Sequence, residues 1–267
     1  MCTYCALCKK EAELQSSHIV SKFLYRFMRK YQDKINDVKG IITIDAKSKN
    51  IDVTQRQWQK KLLCSNCEER LSKNENKMAS LMREIYSMDD EGLKLCFYYA
   101  KISALKNKIP SHFSDSDIND LISSFFFDKE KAAVLKYFSL SILLRHLYVI
   151  ESNLDSLVIN KIERYILGES NFNFKLIVKV NSGKQRWAMF TSVIFLDEND
   201  KFKHYNFMLP NMWFHIIIDD DEYNNEKNDE VVITPCDFFK DEIIIKIMKH
   251  FHNGNAVSDK AKSALKN

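Results

Sequence analysis

Residues 62–75 read LLCSNCEERLSKNE, and residues 5–8 read CALC. Each stretch holds two cysteines separated by two residues, a spacing that lets both thiols face one ion from a tight turn. Two such turns supply the four thiolates that a tetrahedral structural zinc site prefers. We therefore predict that one zinc ion is bound by Cys5, Cys8, Cys64 and Cys67.

The remaining cysteines leave one alternative ligand set. Cys2 stands two residues before Cys5, with the same spacing as Cys5 and Cys8, so Cys2 is an alternative to Cys8 at this site. Cys96 and Cys236 lie in apolar runs, which predicts ordinary buried core positions.

The composition is that of a globular protein with many helices. Hydrophobic residues make up 45% of the 267 residues, and only 5 Gly and 3 Pro are present, which favours long helices over an all-β sandwich. The net charge of +4 permits nucleic-acid binding without requiring it. The Cys-rich start lacks the apolar region of a signal peptide, and no run approaches the ~18 apolar residues that span a bilayer. We expect a soluble cytoplasmic protein that does not enter a membrane.

The apolar periodicity predicts an α+β chain with an N-terminal module over residues 1–88 and a second part over 89–267. In the N-terminal module we expect two helices, over 19–31 and 68–86, and two short strands, over 41–44 and 51–53.

In the second part, residues 89–169 read as a helical middle and residues 170–253 as a β-rich part with a final helix. The expected helices cover 93–105, 114–127, 131–150, 154–167 and 238–251. A hairpin is expected to join a strand at 172–180 to a strand at 187–196 through the turn at 181–184. Two more strands are expected at 205–209 and 212–218. Residues 254–267 are expected to form a mobile tail.

A histidine follows the first cysteine pair in Ser17-His18-Ile19, ahead of an aromatic-rich helix. The order C-x2-C, then SHI, then LLC-x2-CE-x2-LS-x2-E resembles a group of bacterial HNH-like endonucleases with a ββα-metal fold. The resemblance covers residues 5–75 and extends loosely to 135–145.

This resemblance implies a site in which two strands and a helix surround a catalytic Mg²⁺ or Mn²⁺ ion. His18 would be the general base that takes a proton from the water attacking a phosphodiester, a task suited to an imidazole. Ser17 stands where the family has an acidic residue. Glu68 and, two helical turns later, Glu75 are the carboxylates expected to hold the ion. Gln59, near the family's middle Asn, would orient His18 through its amide oxygen.

Basic residues near this motif complete the expected site. Arg26 on the first helix, with Arg56, Lys60 and Lys61, would contact phosphates, with DNA favoured over RNA. Each of these residues also has a structural alternative: His18 as a packing residue, Glu68 as an acidic first-turn residue, Glu75 as a surface charge and the basic residues as a solvated face.

The leading interpretation is a metal-dependent HNH-type endonuclease. One alternative is a non-catalytic zinc module that binds nucleic acid or protein. A further alternative, from family analogy alone, is an effector in a toxin or anti-phage system, controlled through residues 89–267 by a regulatory protein partner or by homo-oligomer formation.

Overall fold

The computed structural model describes residues 3–32, 41–45, 50–54, 56–87, 129–149, 156–181, 187, 189–195, 202–219, 231–252 and 256–257. Helices and strands are mixed along these ranges, as the predicted α+β class requires. The helices predicted at 93–105 and 114–127 lie outside the described residues.

A strand–strand–helix unit forms the centre of the N-terminal module. Strand β1 pairs antiparallel with β4, with Leu14 opposite Cys64 and His18 opposite Gln59. Strand β4 passes directly into α2, which contacts both strands. The elements of the module are β1 (Leu14–His18), α1 (Lys22–Gln32), β2 (Ile41–Asp45), β3 (Asn50–Thr54), β4 (Gln59–Cys64) and α2 (Ser65–Ser87).

Helix α1 begins at Lys22 rather than at the predicted residue 19. The N–H of Ile19 donates to the carbonyl of Trp58, so the backbone there is still tied to the segment before β4. The predicted apolar face holds, because Leu24 and Met28 are buried and Phe27 packs edge-on against Tyr86 of α2.

The predicted strands at 41–44 and 51–53 are confirmed as the antiparallel pair β2 and β3. A short strand, β10 (Ala256–Val257), adds to β3 in parallel. Residues 256–257 of the expected mobile tail therefore pair with β3, although the sequence there shows no strand periodicity. Residues 258–267 lie outside the described ranges.

Two helices of the middle part are described, α3 (Lys129–Leu147) and α4 (Ser156–Leu167). The second half of α3 is buried on every side, including Ser139 and Ser141. Both hydroxyls donate to the carbonyl three residues earlier, which satisfies them without a partner from another element. Helix α4 ends at Gly168, whose φ of 77° gives the left-handed ending that glycine allows.

The C-terminal part holds a five-stranded sheet with the order β6-β7-β8-β5-β9. Its strands are β5 (Lys175–Asn181), β6 (Ile194–Phe195), β7 (Phe202–Leu209), β8 (Met212–Asp219) and β9 (Val231–Cys236). The predicted strands at 205–209 and 212–218 are confirmed as the hairpin of β7 and β8, whose turn uses Asn211 at a φ of 59°.

The predicted hairpin from 172–180 to 187–196 is wrong. Strand β5 lies between β8, which is antiparallel to it, and β9, which is parallel. The described part of 187–195 is mostly irregular and joins the other edge of the sheet through β6. Its apolar residues reflect packing, since Trp187 lies against Phe238 with ring centroids 5.7 Å apart.

The final helix, α5 (Glu242–His252), begins four residues later than predicted. The carboxylate of Asp241 accepts hydrogen bonds from the N–H groups of Ile243 and Ile244, which fixes the start of the helix there. The preceding Phe238–Lys240 segment forms a turn.

The larger of two apolar clusters in the described ranges runs through the molecule, and the smaller one includes Trp187, Trp213 and Phe238. A single buried cluster includes Leu63 beside the cysteines, Leu143 of α3, Ile162 of α4 and Phe214 of β8. The core therefore crosses the predicted division between residues 88 and 89. Among the helices in the described ranges, none has the length and apolar content needed to cross a membrane.

Candidate functional site

The four predicted cysteines form one cluster. Their Sγ atoms all lie within 4.8 Å of one another, and those of Cys8 and Cys64 are 3.8 Å apart. A tetrahedral zinc ion with Zn–S bonds of about 2.3 Å spaces its sulfurs by about 3.8 Å, whereas a disulfide needs about 2 Å. The predicted grouping is confirmed, and the donor set fits zinc without identifying the ion. Cys2 lies outside the described residues.

Backbone hydrogen bonds build the cluster from two places in the chain. The first cysteine turn closes with the N–H of Lys9 donating to the carbonyl of Cys5 at 2.9 Å, and Lys9 takes a φ of 58°. The N–H of Ala6 donates to the carbonyl of Leu62, which joins this turn to β4. Cys64 ends β4 and Cys67 lies in the first turn of α2, so the strand–helix junction aims both thiols at the turn.

The thiols differ in acidity before any ion binds. Burial raises the pKa of Cys5, but backbone N–H groups of Cys8, Cys64 and Leu7 outweigh it and bring the pKa to about 7. Burial raises the pKa of Cys67, helped by the adjacent Cys64 thiol. The cluster therefore favours one thiolate over several, and a divalent cation would allow all four thiols to ionise.

His18 lies at the end of β1, with one ring nitrogen between two glutamines. Its Nε2 is 2.6 Å from Oε1 of Gln57 and 2.7 Å from Nε2 of Gln59. A ring nitrogen either donates or accepts, so Nε2 with a proton donates to Gln57, whereas Nε2 without a proton accepts from the amide N–H of Gln59. Within the described ranges, no side chain or backbone group is hydrogen-bonded to Nδ1.

The glutamine that turns its oxygen to His18 is not the one predicted. Ser16 donates its hydroxyl to Oε1 of Gln59 at 3.0 Å, so Gln59 presents its amide nitrogen to the ring. Gln57 presents the oxygen instead. The sequence QRQWQ at residues 55–59 could have indicated Gln57, because in an extended segment Gln57 and Gln59 point to the same side.

The motif residue before His18 has a structural role. Ser17 is fully buried, and its hydroxyl accepts the N–H of Leu63 at 3.2 Å. This bond fastens β1 to β4 at the position where the resembled family carries an acidic ligand.

The two predicted carboxylate ligands lie in different surroundings. Glu68, in the first turn of α2, has a buried Oε1 without a hydrogen-bond partner among the described residues. Buried carboxylate oxygens are usually bonded, so this atom fits a cation site. Glu75 instead forms an ion pair with Arg145 of α3, whose side chain is 2% exposed. The guanidinium supplies this carboxylate with a cation partner from the protein itself.

No family model, curated protein or solved structure matches this chain. The resemblance to HNH-like endonucleases therefore stays an expectation drawn from the motifs, and the site has to be argued from its own geometry.

The predicted phosphate-binding residues are at the surface. Arg26, Arg56, Lys60 and Lys61 are all exposed. Lys60 and Lys61 lie on β4 opposite Ser17 and Ser16. None of the four basic side chains forms an ion pair with a carboxylate in the described part of the chain.

Arg145 and His146 were missed as neighbours of this region. His146 is fully buried, its Nδ1–H donates to the carbonyl of Ile142, and its ring centroid lies 5.2 Å from that of Trp58. Burial lowers the pKa of His146 to about 4. The sequence did contain a sign of their role, because a charged and a titratable residue are unusual inside an apolar run such as that of α3.

Proposed function

We propose that this chain is a metal-dependent endonuclease that hydrolyses phosphodiester bonds of nucleic acid, DNA in preference to RNA, with His18 as general base. The observation that carries the proposal is the contact between Nε2 of His18 and the amide oxygen of Gln57. We assign the proton of the neutral ring to Nε2, where Gln57 accepts it, and Nδ1 is then the nitrogen that accepts a proton from water.

The strand–strand–helix order of β1, β4 and α2 supports this proposal, since it is the order that the ββα-metal resemblance implies. Helix α2 begins directly after Cys64 and packs on both strands of this pair. Glu68 is the carboxylate we assign to a catalytic Mg²⁺ or Mn²⁺ ion, because its buried Oε1 lacks another partner. When bound, such an ion would stabilise the charge that develops on the phosphate.

The distribution of charge supports a polyanionic substrate. Residues 1–88 contain 17 Lys and Arg against 10 Asp and Glu, a net charge of +7, whereas the whole chain carries +4. The positive excess therefore lies in the module that contains His18, with Arg56, Lys60 and Lys61 next to it. Clustered exposed cations of this kind attract nucleic-acid phosphates.

A plasmid-nicking assay with Mg²⁺ or Mn²⁺ tests the proposal. Loss of the general base in His18→Ala is expected to slow nicking at least about 100-fold. Gln15→Ala, an exposed change on the same strand, is the matched control and should nick at the parent rate. Equal rates for His18→Ala and the parent, with both proteins folded, would refute the assignment of His18.

A second candidate is a non-catalytic zinc module that binds nucleic acid or protein. It is favoured by the ion pair of Glu75 and the buried bond of Ser17, which leave Glu68 as the remaining predicted acidic ligand. Titration of the zinc-loaded protein with Mn²⁺ separates the two candidates. The nuclease requires a second metal site that weakens in Glu68→Gln, and the non-catalytic module has none.

A role in a toxin or anti-phage system rests on the family resemblance alone, as does control by a protein partner or by self-association. Co-expression with genes encoded beside this one is the direct test, and cleavage that depends on such a neighbour would support it.

A further inference from the structure

One tryptophan is exposed in the segment that contacts the candidate catalytic histidine. Trp58 is 40% exposed, whereas Trp187 and Trp213 are 5% and 0% exposed. Trp58 stands between Gln57 and Gln59, the two residues that contact His18. Tryptophan is enriched among the residues that contribute most to binding energy.

Its surroundings hold Trp58 in place. Its carbonyl accepts the N–H of Ile19 at 3.0 Å, and its N–H donates to the hydroxyl of Tyr25 at 3.0 Å. The indole meets the buried ring of His146 at an angle of 86°. Both ends of the peptide and one part of the ring are therefore fixed, so a ligand that stacks on the indole loses little of its binding energy to ordering the side chain.

Three exposed basic residues lie within three positions of Trp58 in the sequence. Arg56, Lys60 and Lys61 are exposed, and each lacks an ion pair within the residues that the structure describes. An aromatic platform inside a basic surface matches single-stranded nucleic acid, which offers both phosphates and free base faces. A duplex offers phosphates and the base edges in its grooves but no free base faces, because its bases are stacked on one another.

We propose that Trp58 stacks on an unpaired base, and that the site around His18 takes single-stranded nucleic acid whose phosphates contact Arg56, Lys60 and Lys61. The assignment of this strand as the substrate rests on the proposed nuclease function, whereas the binding itself does not. Trp58 thereby selects single strands, or unpaired segments of a duplex, over regular double helix.

Fluorescence anisotropy with labelled 12-mers of thymidine and a matched duplex tests this without any catalytic metal. Loss of one stacking contact is worth about 1–3 kcal/mol, so Trp58→Leu should weaken single-strand binding roughly 5- to 150-fold. Duplex binding should change less than about twofold. Trp58→Phe, which keeps an aromatic face, should lose less, and Phe195→Leu, a change at a 53% exposed ring on β6, should have no effect.

The intrinsic fluorescence of the protein gives a readout that a purely structural role would not move. Single-stranded DNA should quench the emission of Trp58, and this quenching should vanish in Trp58→Phe, because the other two tryptophans are buried. A uridine 12-mer that binds as well as the thymidine 12-mer would support stacking as the shared chemistry, and tighter thymidine binding would assign the site to DNA.

Several outcomes would overturn the proposal: unchanged single-strand binding in folded Trp58→Leu, equal losses for single strand and duplex, or no single-strand binding by the parent, which would assign the surface to a protein. The tests are separable. If single strands bind through Trp58 but the protein does not nick, the nuclease assignment is wrong and the stacking role stands. If nicking depends on His18 but binding does not depend on Trp58, the stacking role is wrong and the nuclease assignment stands.

Discussion

At the scale of single residues, His18 is held at the end of β1 by Gln57, whose amide oxygen lies 2.6 Å from Nε2 of the ring. The spacing of Gln59 before the second cysteine pair suggested the right segment, 57–59. It could not say which amide turns its oxygen to the ring, because that choice follows from the hydroxyl of Ser16 across the strand pair. Motif spacing locates a segment of this kind, but cross-strand hydrogen bonds select the atom.

Loss of the Gln57 contact is expected to affect catalysis more than binding. In Gln57→Leu the imidazole is free to rotate, and misplacement of a catalytic group by about 1 Å can reduce rate about 100-fold. We expect kcat for nicking to fall roughly 10- to 100-fold, with KM within about twofold of the parent. Steady-state nicking rates over a series of plasmid concentrations give both kcat and KM. A rise in KM at constant kcat would instead make Gln57 a substrate-binding residue.

His146 is expected to make the fold acid-sensitive. Burial lowers its pKa to about 4 from an ordinary 6.5, so the unfolded chain takes a proton that the folded chain refuses. Stability is then full above pH 6.5 and falls as the pH drops toward 4, by about 1 kcal/mol per pH unit for this group. Urea unfolding at pH 7, 6 and 5 measures the slope. In His146→Leu the slope of the free energy of unfolding against pH should decrease by the contribution of one proton. An unchanged slope would contradict the role of His146 in acid sensitivity.

The ion pair of Glu75 and Arg145 is expected to stabilise the fold rather than hold a metal. Arg145→Met would leave a carboxylate that is 14% exposed without its cation, at a cost of about 3–5 kcal/mol in the free energy of unfolding. The double variant with Glu75→Leu should recover part of that loss. Urea unfolding gives the free energies of the parent, Arg145→Met, Glu75→Leu and the double variant, which together form a double-mutant cycle. Unchanged stability in Arg145→Met, with Mn²⁺ affinity reduced in Glu75→Gln, would return Glu75 to the metal site.

At the scale of elements, periodicity predicted the helices well and the strand partners poorly. Helices α2, α3 and α4 satisfy their backbone internally, so the apolar stripes of α2 and α4 and the long apolar run of α3 are enough to predict them. The partner of β5 is not local: β5 pairs with β9, which follows three intervening strands along the chain and was not among the predicted strands. Strand pairing depends on the whole sheet, which a local pattern does not contain.

One contact between elements is expected to stabilise the cysteine cluster. Lys9, next to Cys8, lies 2.6 Å from the carboxylate of Glu163 on α4, which also accepts the hydroxyl of Tyr148 at 2.7 Å. Glu163→Ala should lower the free energy of unfolding by about 1–3 kcal/mol, because the buried Tyr148 hydroxyl loses its acceptor.

The same change should speed the release of the bound ion to a coloured chelator. Glu69→Ala serves as the control, since that carboxylate is 69% exposed and its pair with Lys73 is worth little. Identical release rates for Glu163→Ala and the parent would show that the contact does not support the cluster.

At the scale of the whole molecule, the shared core predicts one unfolding unit. The buried cluster that begins at Cys5 continues through α3 and α4 to Ile218 at the end of β8. Removing the ion, by chelation or in Cys64→Ser, should lower the melting temperature of helices and sheet together.

Far- and near-ultraviolet circular dichroism follow the two signals during melting. Cys236→Ser is the matched control, since this thiol lies outside the cluster and should leave the metal content unchanged. Two separate transitions, with the sheet unaffected by chelation, would instead support independent folding of residues 1–88 and 89–267.

The contact between Lys9 and Glu163 joins residues 154 positions apart. A ribosome adds about 5–20 residues per second, so the first cysteine turn leaves the exit tunnel on the order of ten seconds before its helical partner exists. During that interval the nascent chain carries reactive thiols and unsheltered apolar side chains. Early capture of the ion by the nascent chain would protect those thiols from oxidation until synthesis reaches α4.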